Sequence, residues 1–284
     1  MLNLTKLTDW LSHEVVAHYE QGQEAQRLLQ SQMLGPLELT RTQELLNRYL
    51  TAPPAVIFDV GGGSGIYACW LAQQGYEVHL VDAVPLHVEQ ACEASQAQPD
   101  RPLASAVVGD ARQLDRSDAS VDVVLLMGPL YHLIDRCDRI TALREAYRIL
   151  KPDGLIFAVG VSRFASTLSG LRRGHLADPT FVKIVQQDLI DGQHRNPNNH
   201  PAYFTTAFFH HPDELREEIA EAGFSDEKLL AIQGLGAVLP NFEEHWQDTE
   251  QRERLLQAIR WLEAEPSTLG VTSHILATAR KTTI

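Results

Sequence analysis

The residues best placed to do chemistry form a glycine-rich run, Asp59-Val-Gly-Gly-Gly-Ser-Gly65, between a strand-like apolar segment and a helical one. Glycines let the chain turn sharply and let a ligand approach the peptide plane without a side chain in the way. The unpaired N–H groups at the start of the next helix favour a carboxylate or a phosphate. An ordinary glycine turn is the alternative, but the position between strand and helix favours a ligand site.

The spacing of the glycines distinguishes two classes of ligand. A dinucleotide fingerprint requires Gly-x-Gly-x-x-Gly, whereas here Gly65, the third glycine, comes one position early. This spacing disfavours NAD and FAD. The segment closely resembles the glycine loop of class I S-adenosylmethionine-dependent methyltransferases. The residues that this resemblance assigns to S-adenosylmethionine are Asp59, Gly61, Gly62, Gly63 and Gly65.

Two aspartates follow the next two strand-like runs. Asp82 ends the second run, 19 residues after Gly63, where a carboxylate can accept hydrogen bonds from both ribose hydroxyls of an adenosine. Ala83 belongs to the same predicted contact. The methyltransferase resemblance implies that Asp110, at the end of the third run, accepts from the adenine amino group, and that the Ala111 N–H meets a ring nitrogen. A helix cap or an Asx turn is the alternative for either aspartate alone.

The segment after the fourth strand-like run, residues 125–133, holds the candidates for the acceptor side. In the same family this segment lines the methionine part of the cofactor, which implies that Met127 contacts it. Tyr131 and His132 are predicted catalytic residues facing the acceptor, since a histidine can act as a general base near neutral pH. The alternatives are that Tyr131 packs over the cofactor and that His132 bonds to a backbone carbonyl.

The N-terminal region supplies further candidates. Tyr19 stands where many relatives carry a tyrosine that closes over the cofactor, and we predict that it contacts S-adenosylmethionine. Arg27 or Arg41 is a candidate partner for the cofactor carboxylate through a bidentate contact. A solvated position on a helix is the alternative for all three.

The middle of the sequence alternates short apolar runs with amphipathic helical stretches, which is typical of parallel α/β architecture. Predicted strands span residues 55–60, 77–82, 105–110, 121–127 and 155–160. Predicted helices span residues 66–74, 85–97 and 136–150. Later elements are predicted as a helix at 212–222, a strand at 228–233, a helix at 248–265 and a strand at 273–279.

The resemblance to class I methyltransferases covers residues 55–160 well and residues 208–281 more loosely. Residues 142–154 resemble the helix and turn before the fifth strand of the family, and residues 212–224 resemble its late helix and Ala-Gly-Phe turn. The implied fold is α/β, a Rossmann-like class I methyltransferase fold with a mostly parallel seven-stranded sheet flanked by helices. An extra helical stretch at residues 234–270 leaves the pairing of the last two strands open.

We predict one catalytic domain with additions. Residues 1–50 form an N-terminal helical cap, and residues 51–284 form the S-adenosylmethionine-binding catalytic domain. Within that domain, residues 162–206 form a lid-like insertion after the fifth strand, and residues 234–270 form a helical insertion. A lid of this kind can enclose a small acceptor.

The composition narrows the class of partner. The 284 residues carry a formal net charge of −13, and Arg172-Arg173 is a pair rather than a basic patch, so no nucleic-acid partner is expected. No apolar run approaches the length of a membrane span, and the N-terminus does not resemble an export signal. The isolated cysteines Cys69, Cys92 and Cys137 suit a reducing compartment. We therefore expect a cytoplasmic protein without a membrane partner.

Several histidines invite a metal hypothesis. They are His175, His194, His200, His210 and His211. Their spacing matches no zinc pattern, and no cysteine lies among them. We predict no metal site and place these histidines in the lid or the acceptor pocket.

The function indicated is transfer of a methyl group from S-adenosylmethionine to O, N or C of a small-molecule acceptor. In such an in-line displacement the protein mainly supplies positioning and a shaped, water-poor site. The alternatives are a nucleotide-dependent oxidoreductase, which the glycine spacing disfavours, and a non-catalytic adenosine-ligand-binding protein. A homodimer is compatible with the sequence.

Overall fold

The computed structural model describes residues 13–20, 22, 24–29 and 34–282. The strands in this part are β1 Val56–Val60, β2 Glu77–Asp82, β3 Ser105–Val108, β4 Val121–Leu126, β5 Leu150–Ser162, β6 Gln193–His194, β7 Ala207–His210, β8 Ser225–Ala231 and β9 His274–Arg280. None of the described helices is long and apolar enough to cross a membrane.

The helices cover both faces of the sheet. They are α1 His13–Tyr19, α2 Glu24–Arg27, α3 Gly35–Tyr49, α4 Ile66–Gln73, α5 Pro85–Gln96, α6 Pro129–His132, α7 Arg136–Ile149, α8 Ala165–Arg173, α9 Pro179–Asp191, α10 Pro212–Glu221, α11 Phe242–Gln247 and α12 Thr249–Leu262. Pro85, Pro129 and Pro212 each stand in a first helical turn, where the missing N–H of proline has no helical partner to lose.

The central sheet has the predicted parallel arrangement. Strands β3, β2, β1, β4 and β5 lie side by side in that order and pair in parallel. Strand β9 pairs antiparallel with β5, and β8 pairs antiparallel with β9. These seven strands form the predicted Rossmann-like sheet, and the last two pair even though α11 and α12 lie between them in the chain.

Within the described residues the sheet has nine strands rather than the predicted seven. Strand β5 continues to Ser162, two residues beyond the predicted end, and β7 pairs in parallel with Val161 and Ser162. Strand β6 pairs antiparallel with β7. The two extra strands lie in the region after β5. They can join the sheet because β5 extends past Leu126, the last residue of β4, and its free backbone groups pair with β7.

The core is built on both faces of the sheet, as expected for buried parallel strands. Along β1 the side chains alternate: Phe58 and Val60 pack in one cluster, while Ile57 packs in the other. The first cluster includes residues of α7 and α10, and the second includes residues of α3, α4 and α5. This double cover fixes the strand ends, where the candidate site lies.

Candidate active site

A cleft of about 680 Å³ opens at the carboxyl ends of β1, β2 and β4. Ligands of open α/β sheets bind at this edge. The predicted site residues that line it are Tyr19, Gly61, Gly63, Asp82, Ala83, Asp110, Ala111, Tyr131 and His132. Side chains that the sequence places up to 113 positions apart therefore share one cleft.

A second cavity of about 610 Å³ adjoins this cleft. The two have Glu24, Gly61, Gly63 and Tyr131 in common. Of the predicted site residues, the second cavity adds Asp59, Gly62 and Met127. Its far wall carries residues that no motif indicated; these are Glu38, Thr42, Tyr67, Val159, Ile232 and His274.

Gly65 lines neither of these cavities. It precedes α4 with a φ of 82°, and a Cβ atom there would lie 3.0 Å from Cβ of Ala91. Gly65 allows α4 and α5 to approach each other closely, because a side chain would not fit between them. Its positive φ is also one that glycine adopts without strain.

The glycine loop is shaped by close contacts. Gly61 has a φ of 70°, and a Cβ atom there would lie 2.6 Å from Cδ of Pro129. A Cβ atom on Gly62 would lie 2.7 Å from Oδ2 of Asp59. The backbone N–H of Gly61 donates to the carbonyl oxygen of Val81 across 2.7 Å. Side chains are excluded at Gly61 and Gly62, so the backbone itself forms this wall of the cleft.

Asp59 lies beneath the loop and is fully buried. Its Oδ2 atom has no hydrogen-bond partner within the described residues. Burial, with a smaller contribution from the negative charge of Asp82, raises the pKa of Asp59 to about 7. A buried carboxyl oxygen without a partner fits a ligand that brings a cation or a hydrogen-bond donor.

Asp82 combines the predicted position with a structural role. Its Oδ2 atom accepts a hydrogen bond from the N–H of Gly63 at 2.8 Å. Its Oδ1 atom accepts from the N–H of Val84 at 2.8 Å and lies 3.1 Å from Nδ1 of His87. The carboxylate therefore ties the glycine loop to the start of α5 while lining the cleft.

Asp110 also forms the Asx turn that was the alternative to a ligand contact. Its Oδ1 atom accepts from the backbone N–H of Arg112 at 2.9 Å, and the Arg112 guanidinium binds both carboxylate oxygens. Strand β3 ends at Val108, so Asp110 stands beyond the strand rather than at its predicted last position. Its side chain still lines the cleft beside Ala111.

Tyr19 and His132 meet in the cleft. The hydroxyl of Tyr19 lies 2.7 Å from Nε2 of His132, and the Nδ1 atom of His132 is buried without a partner in the described ranges. Burial, followed by the charge of His18, lowers the pKa of His132 to about 3. Burial also raises the pKa of Tyr131. His132 is thus neutral near pH 7, and one ring nitrogen already has a partner.

The two candidate arginines have different surroundings. Arg27 makes a bidentate pair with Glu38, with both N–O distances 2.9 Å, and also binds Glu24. Burial opposes ionisation of Glu38, but Arg27 and His274 outweigh it and lower the Glu38 pKa to about 2. Arg27 lines the second cavity.

Arg41 lines neither cavity. It is fully buried, donates to Glu44 at 2.6 Å and to the Ile232 carbonyl at 3.4 Å, and pairs with Glu263. Its charge is therefore used inside the fold rather than toward a ligand.

The histidines considered for a metal site line neither cavity; they are His175, His194, His200, His210 and His211. His194 is buried against Asp188 at 3.0 Å, and His210 is buried against Glu218 at 3.3 Å. Among the described residues, no group of three or more His, Cys, Asp or Glu side chains could hold a metal ion.

Part of the chain is similar to known proteins. Residues 58–158 match the family model described as a methyltransferase domain. No curated protein sequence matches the chain. An S-adenosylmethionine-dependent methyltransferase of Methanosarcina mazei is 19% identical, with a TM-score of 0.56 over 84% of this chain and 98% of that one.

Two further solved structures are similar. A possible histamine N-methyltransferase of Thermotoga maritima is 19% identical, with a TM-score of 0.52, and the match covers 94% of this chain and 95% of that one. Haemonchus contortus phosphoethanolamine N-methyltransferase 2, bound to S-adenosyl-L-methionine, is 18% identical with a TM-score of 0.54. That match covers 86% of this chain and 52% of the other.

Residues 58–158 therefore resemble a methyltransferase domain, and the fold is the Rossmann-like fold of class I methyltransferases, whose methyl donor is S-adenosylmethionine. The matched residues run from β1 into β5 and include the glycine loop, Asp82 and Asp110. The family match thus covers the predicted cofactor side of the site and does not extend to the region after β5.

Proposed function

We propose that this protein transfers a methyl group from S-adenosylmethionine to O, N or C of a small-molecule acceptor. The observation that supports it best is that predicted cofactor residues following three successive parallel strands, Gly61, Asp82 and Asp110, line one cleft beside Tyr131. When bound, S-adenosylmethionine supplies the activated methyl group, so the chain itself has to bind, orient and exclude water.

The residues present fit this cofactor. Gly61 and Gly63 carry no side chain into the cleft, which leaves room beside the carboxylate of Asp82 for the ribose and the methionine chain. Asp110 and Ala111 suit the adenine. The unpartnered Oδ2 atom of Asp59 suits a cationic ammonium, which a dinucleotide does not provide.

The acceptor side supports a small substrate. The second cavity adjoins the cleft and shares Gly61 and Tyr131 with it, and the net charge of −13 disfavours a nucleic acid. Residues 1–12 of the predicted cap lie outside the described residues. We infer that the described helices before residue 50 act as a cap, residues 162–206 as a lid, and residues 234–270 as a supporting insertion. We further infer a cytoplasmic protein from the unpaired cysteines. A homodimer remains a prediction that light scattering tests.

Titration calorimetry with S-adenosylhomocysteine and with NADH tests the proposal. We expect S-adenosylhomocysteine to bind and NADH not to bind. Asp82→Ala should weaken binding about tenfold to a hundredfold, since hydrogen bonds to a charged group are lost. Asp213→Ala, at a side chain 83% exposed on α10, is the matched control and should bind like the parent. Binding of NADH alone would show that the proposal is wrong.

Proton release on binding tests the role of Asp59. Because its pKa is about 7 in the ligand-free protein, an arriving ammonium should favour the carboxylate and release a proton near pH 7. Calorimetry in buffers of different ionisation enthalpy measures that proton, and Asp59→Asn should abolish it. Equal proton release by parent and variant would contradict the assignment.

Asp59 should also shape the pH dependence of stability. Its folded-state pKa lies above the unfolded value, so its contribution is fully present below about pH 4 and is lost as pH rises through about 7. Asp59→Asn removes this loss. The free energy of unfolding in urea should therefore rise for the variant, relative to the parent, as pH increases to 7. The upper bound of the gain is about 4 kcal/mol.

A methyl-transfer assay with radiolabelled S-adenosylmethionine tests turnover. Phosphoethanolamine and histamine, which appear in the names of two structural relatives, are the first acceptor probes. A metabolite extract widens the search. Tight S-adenosylhomocysteine binding with no product from any source would favour the non-catalytic alternative.

A further inference from the structure

His87, in the first turn of α5, lines the cleft although no motif in the sequence indicated it. Its side chain is only 5% exposed. Asp82, Ala83 and Val84, which join β2 to α5, form the neighbouring part of the cleft wall. His87 therefore lies beside the position predicted for the ribose of the cofactor.

The hydrogen bond between His87 and Asp82 defines which ring nitrogen carries a proton. Nδ1 of His87 lies 3.1 Å from Oδ1 of Asp82, and that oxygen also accepts from the backbone N–H of Val84. A carboxylate can only accept, so Nδ1 is the donor. In the neutral ring the other nitrogen, Nε2, is then a hydrogen-bond acceptor.

The Nε2 atom of His87 is buried and has no hydrogen-bond partner within the described residues. The ring of Tyr19 packs edge-on against the His87 ring at 4.9 Å. Its hydroxyl lies 2.7 Å from Nε2 of His132 and is therefore engaged elsewhere. Buried polar atoms are nearly always hydrogen-bonded. An unpartnered acceptor on a side chain that lines a ligand cleft indicates a ligand that brings a donor.

The carboxylate of Asp82 has room for one further hydrogen bond. The two oxygens of a carboxylate offer about four acceptor positions. Among the residues that the structure describes, Oδ1 accepts from Val84 and His87, and Oδ2 accepts from Gly63. One position on Oδ2 is left for the cofactor, whereas a ribose carries two hydroxyl groups.

The other donors of S-adenosylmethionine have partners elsewhere in the proposed site. Asp110 suits the adenine amino group, and the unpartnered oxygen of Asp59 suits the ammonium of the methionine part. The second ribose hydroxyl is the donor that still lacks an acceptor. His87 is well placed to supply it, because its ring is hydrogen-bonded to the carboxylate predicted to bind the ribose.

We propose that Nε2 of His87 accepts a hydrogen bond from one ribose hydroxyl of S-adenosylmethionine, while Oδ2 of Asp82 accepts from the other. This rests on the proposed function, in which the cofactor lies in the cleft at the ends of β1, β2 and β4. His87 is then a cofactor-binding residue that selects an intact ribose. Since Asp82 also binds the N–H of Gly63, the pair connects ribose recognition to the glycine loop.

Calorimetry with S-adenosylhomocysteine and with its analogues lacking the 2′ or the 3′ hydroxyl tests the proposal. The parent should bind each analogue about tenfold more weakly than S-adenosylhomocysteine. His87→Asn keeps an amide N–H that can donate to Asp82 and removes Nε2. This variant should lose the discrimination against one analogue and keep it against the other. It should also bind S-adenosylhomocysteine about tenfold more weakly.

Two further variants complete the experiment. His87→Gln carries an amide oxygen that can accept in place of Nε2, so it should restore the discrimination. Glu89→Gln, at an exposed position on the same helix, is the matched control and should bind all three ligands like the parent. If His87→Asn discriminates against both analogues as strongly as the parent, Asp82 accepts from both hydroxyls and the proposal is wrong. Comparing ligands on one variant prevents a loss of stability from imitating this result.

Nitrogen-15 NMR of the histidine-labelled parent tests the acceptor atom without a substitution at the site. At slightly alkaline pH we expect a neutral His87 ring with its proton on Nδ1. The Nε2 signal should shift upfield when S-adenosylhomocysteine binds, as for an acceptor that gains a hydrogen bond. A proton on Nε2, or an Nε2 signal that S-adenosylhomocysteine does not move, would overturn the proposal.

The outcomes distinguish the two proposals. If the parent does not bind S-adenosylhomocysteine, the proposed function fails. If the parent binds it and discriminates against both analogues, and His87→Asn does the same, only the role of His87 fails.

Discussion

The half of the molecule that carries the cofactor cleft and the half that follows β5 are stabilised in different ways. In the first half, Asp59 and Asp82 stand near the end or at the end of a strand, and their positions follow from local sequence. In the second half, side chains far apart in sequence hold the structure together. Residues that bind a common cofactor can thus be found from spacing, while residues that shape a particular acceptor pocket cannot.

The second half contains a buried polar cluster of Ser166, Asp188 and His194. Asp188 accepts from Ser166 Oγ and lies 3.0 Å from Nδ1 of His194, while Nε2 of His194 lies 3.2 Å from the carbonyl oxygen of Phe204. A carbonyl can only accept, so Nε2 donates. The cluster joins α8, α9 and β6 to the segment before β7.

This cluster positions one wall of the site. The ring of Phe204 lies with its centroid 5.9 Å from that of His132, 6.3 Å from that of Tyr131 and 5.8 Å from that of His18. The region after β5 therefore reaches the catalytic candidates through Phe204. The cofactor half and the acceptor half meet at this group of rings.

The largest effect is expected in the cofactor half from Gly61→Ala. The methyl group would force a positive φ on alanine and collide with Pro129 at 2.6 Å, and these costs together amount to about 2–5 kcal/mol. S-adenosylhomocysteine affinity should fall about a hundredfold. Gly174→Ala, with a φ of 73° and no atom within 4 Å of the new Cβ, is the matched control and should bind like the parent. Similar affinities for both variants would mean that the loop shape does not govern binding.

A smaller and more local effect is expected in the other half from Asp188→Ala. Removing the shared acceptor of a buried hydrogen-bonded cluster leaves polar groups unpaired and costs about 1–3 kcal/mol, and the loss should appear as faster amide hydrogen exchange in α8, α9 and β6. S-adenosylhomocysteine affinity should change less than threefold, because none of the cofactor candidates contacts Asp188. Asp191→Ala, on the exposed end of α9, is the control. Exchange that quickens equally in β1 and β2 would show that the two halves unfold as one unit.

How far the sequence predicts this molecule follows the same division. Ile66, Glu77 and Pro85 begin their elements where the apolar runs and turn residues placed them. The extension of β5 to Ser162 was not predictable, since it depends on pairing with β7, and β7 lies more than forty residues later in the chain.

The candidate site divides in the same manner. The glycine loop, Asp82 and Asp110 could be proposed as candidates because strand, turn and acidic residue are adjacent in sequence. His274 and Glu38 were missed because their proximity depends on the folding of α3 against β9. One signal was available: a histidine opening a strand antiparallel to β5 must lie at the carboxyl edge of the sheet.

The smallest effect is expected where the two halves and the N-terminal helices meet, from Tyr19→Phe. The substitution keeps the ring, which lies 4.9 Å from that of His87 and 5.3 Å from that of His132, and removes only the hydrogen bond to Nε2 of His132. Such a bond contributes about 0.5–1.5 kcal/mol, so S-adenosylhomocysteine should bind about two- to tenfold more weakly. Tyr49→Phe, on α3 outside both cavities, should have no effect. If Tyr19→Phe binds S-adenosylhomocysteine as tightly as the parent, the hydrogen bond of Tyr19 does not contribute to cofactor binding. The helix α1 would then belong to the wall of the acceptor pocket.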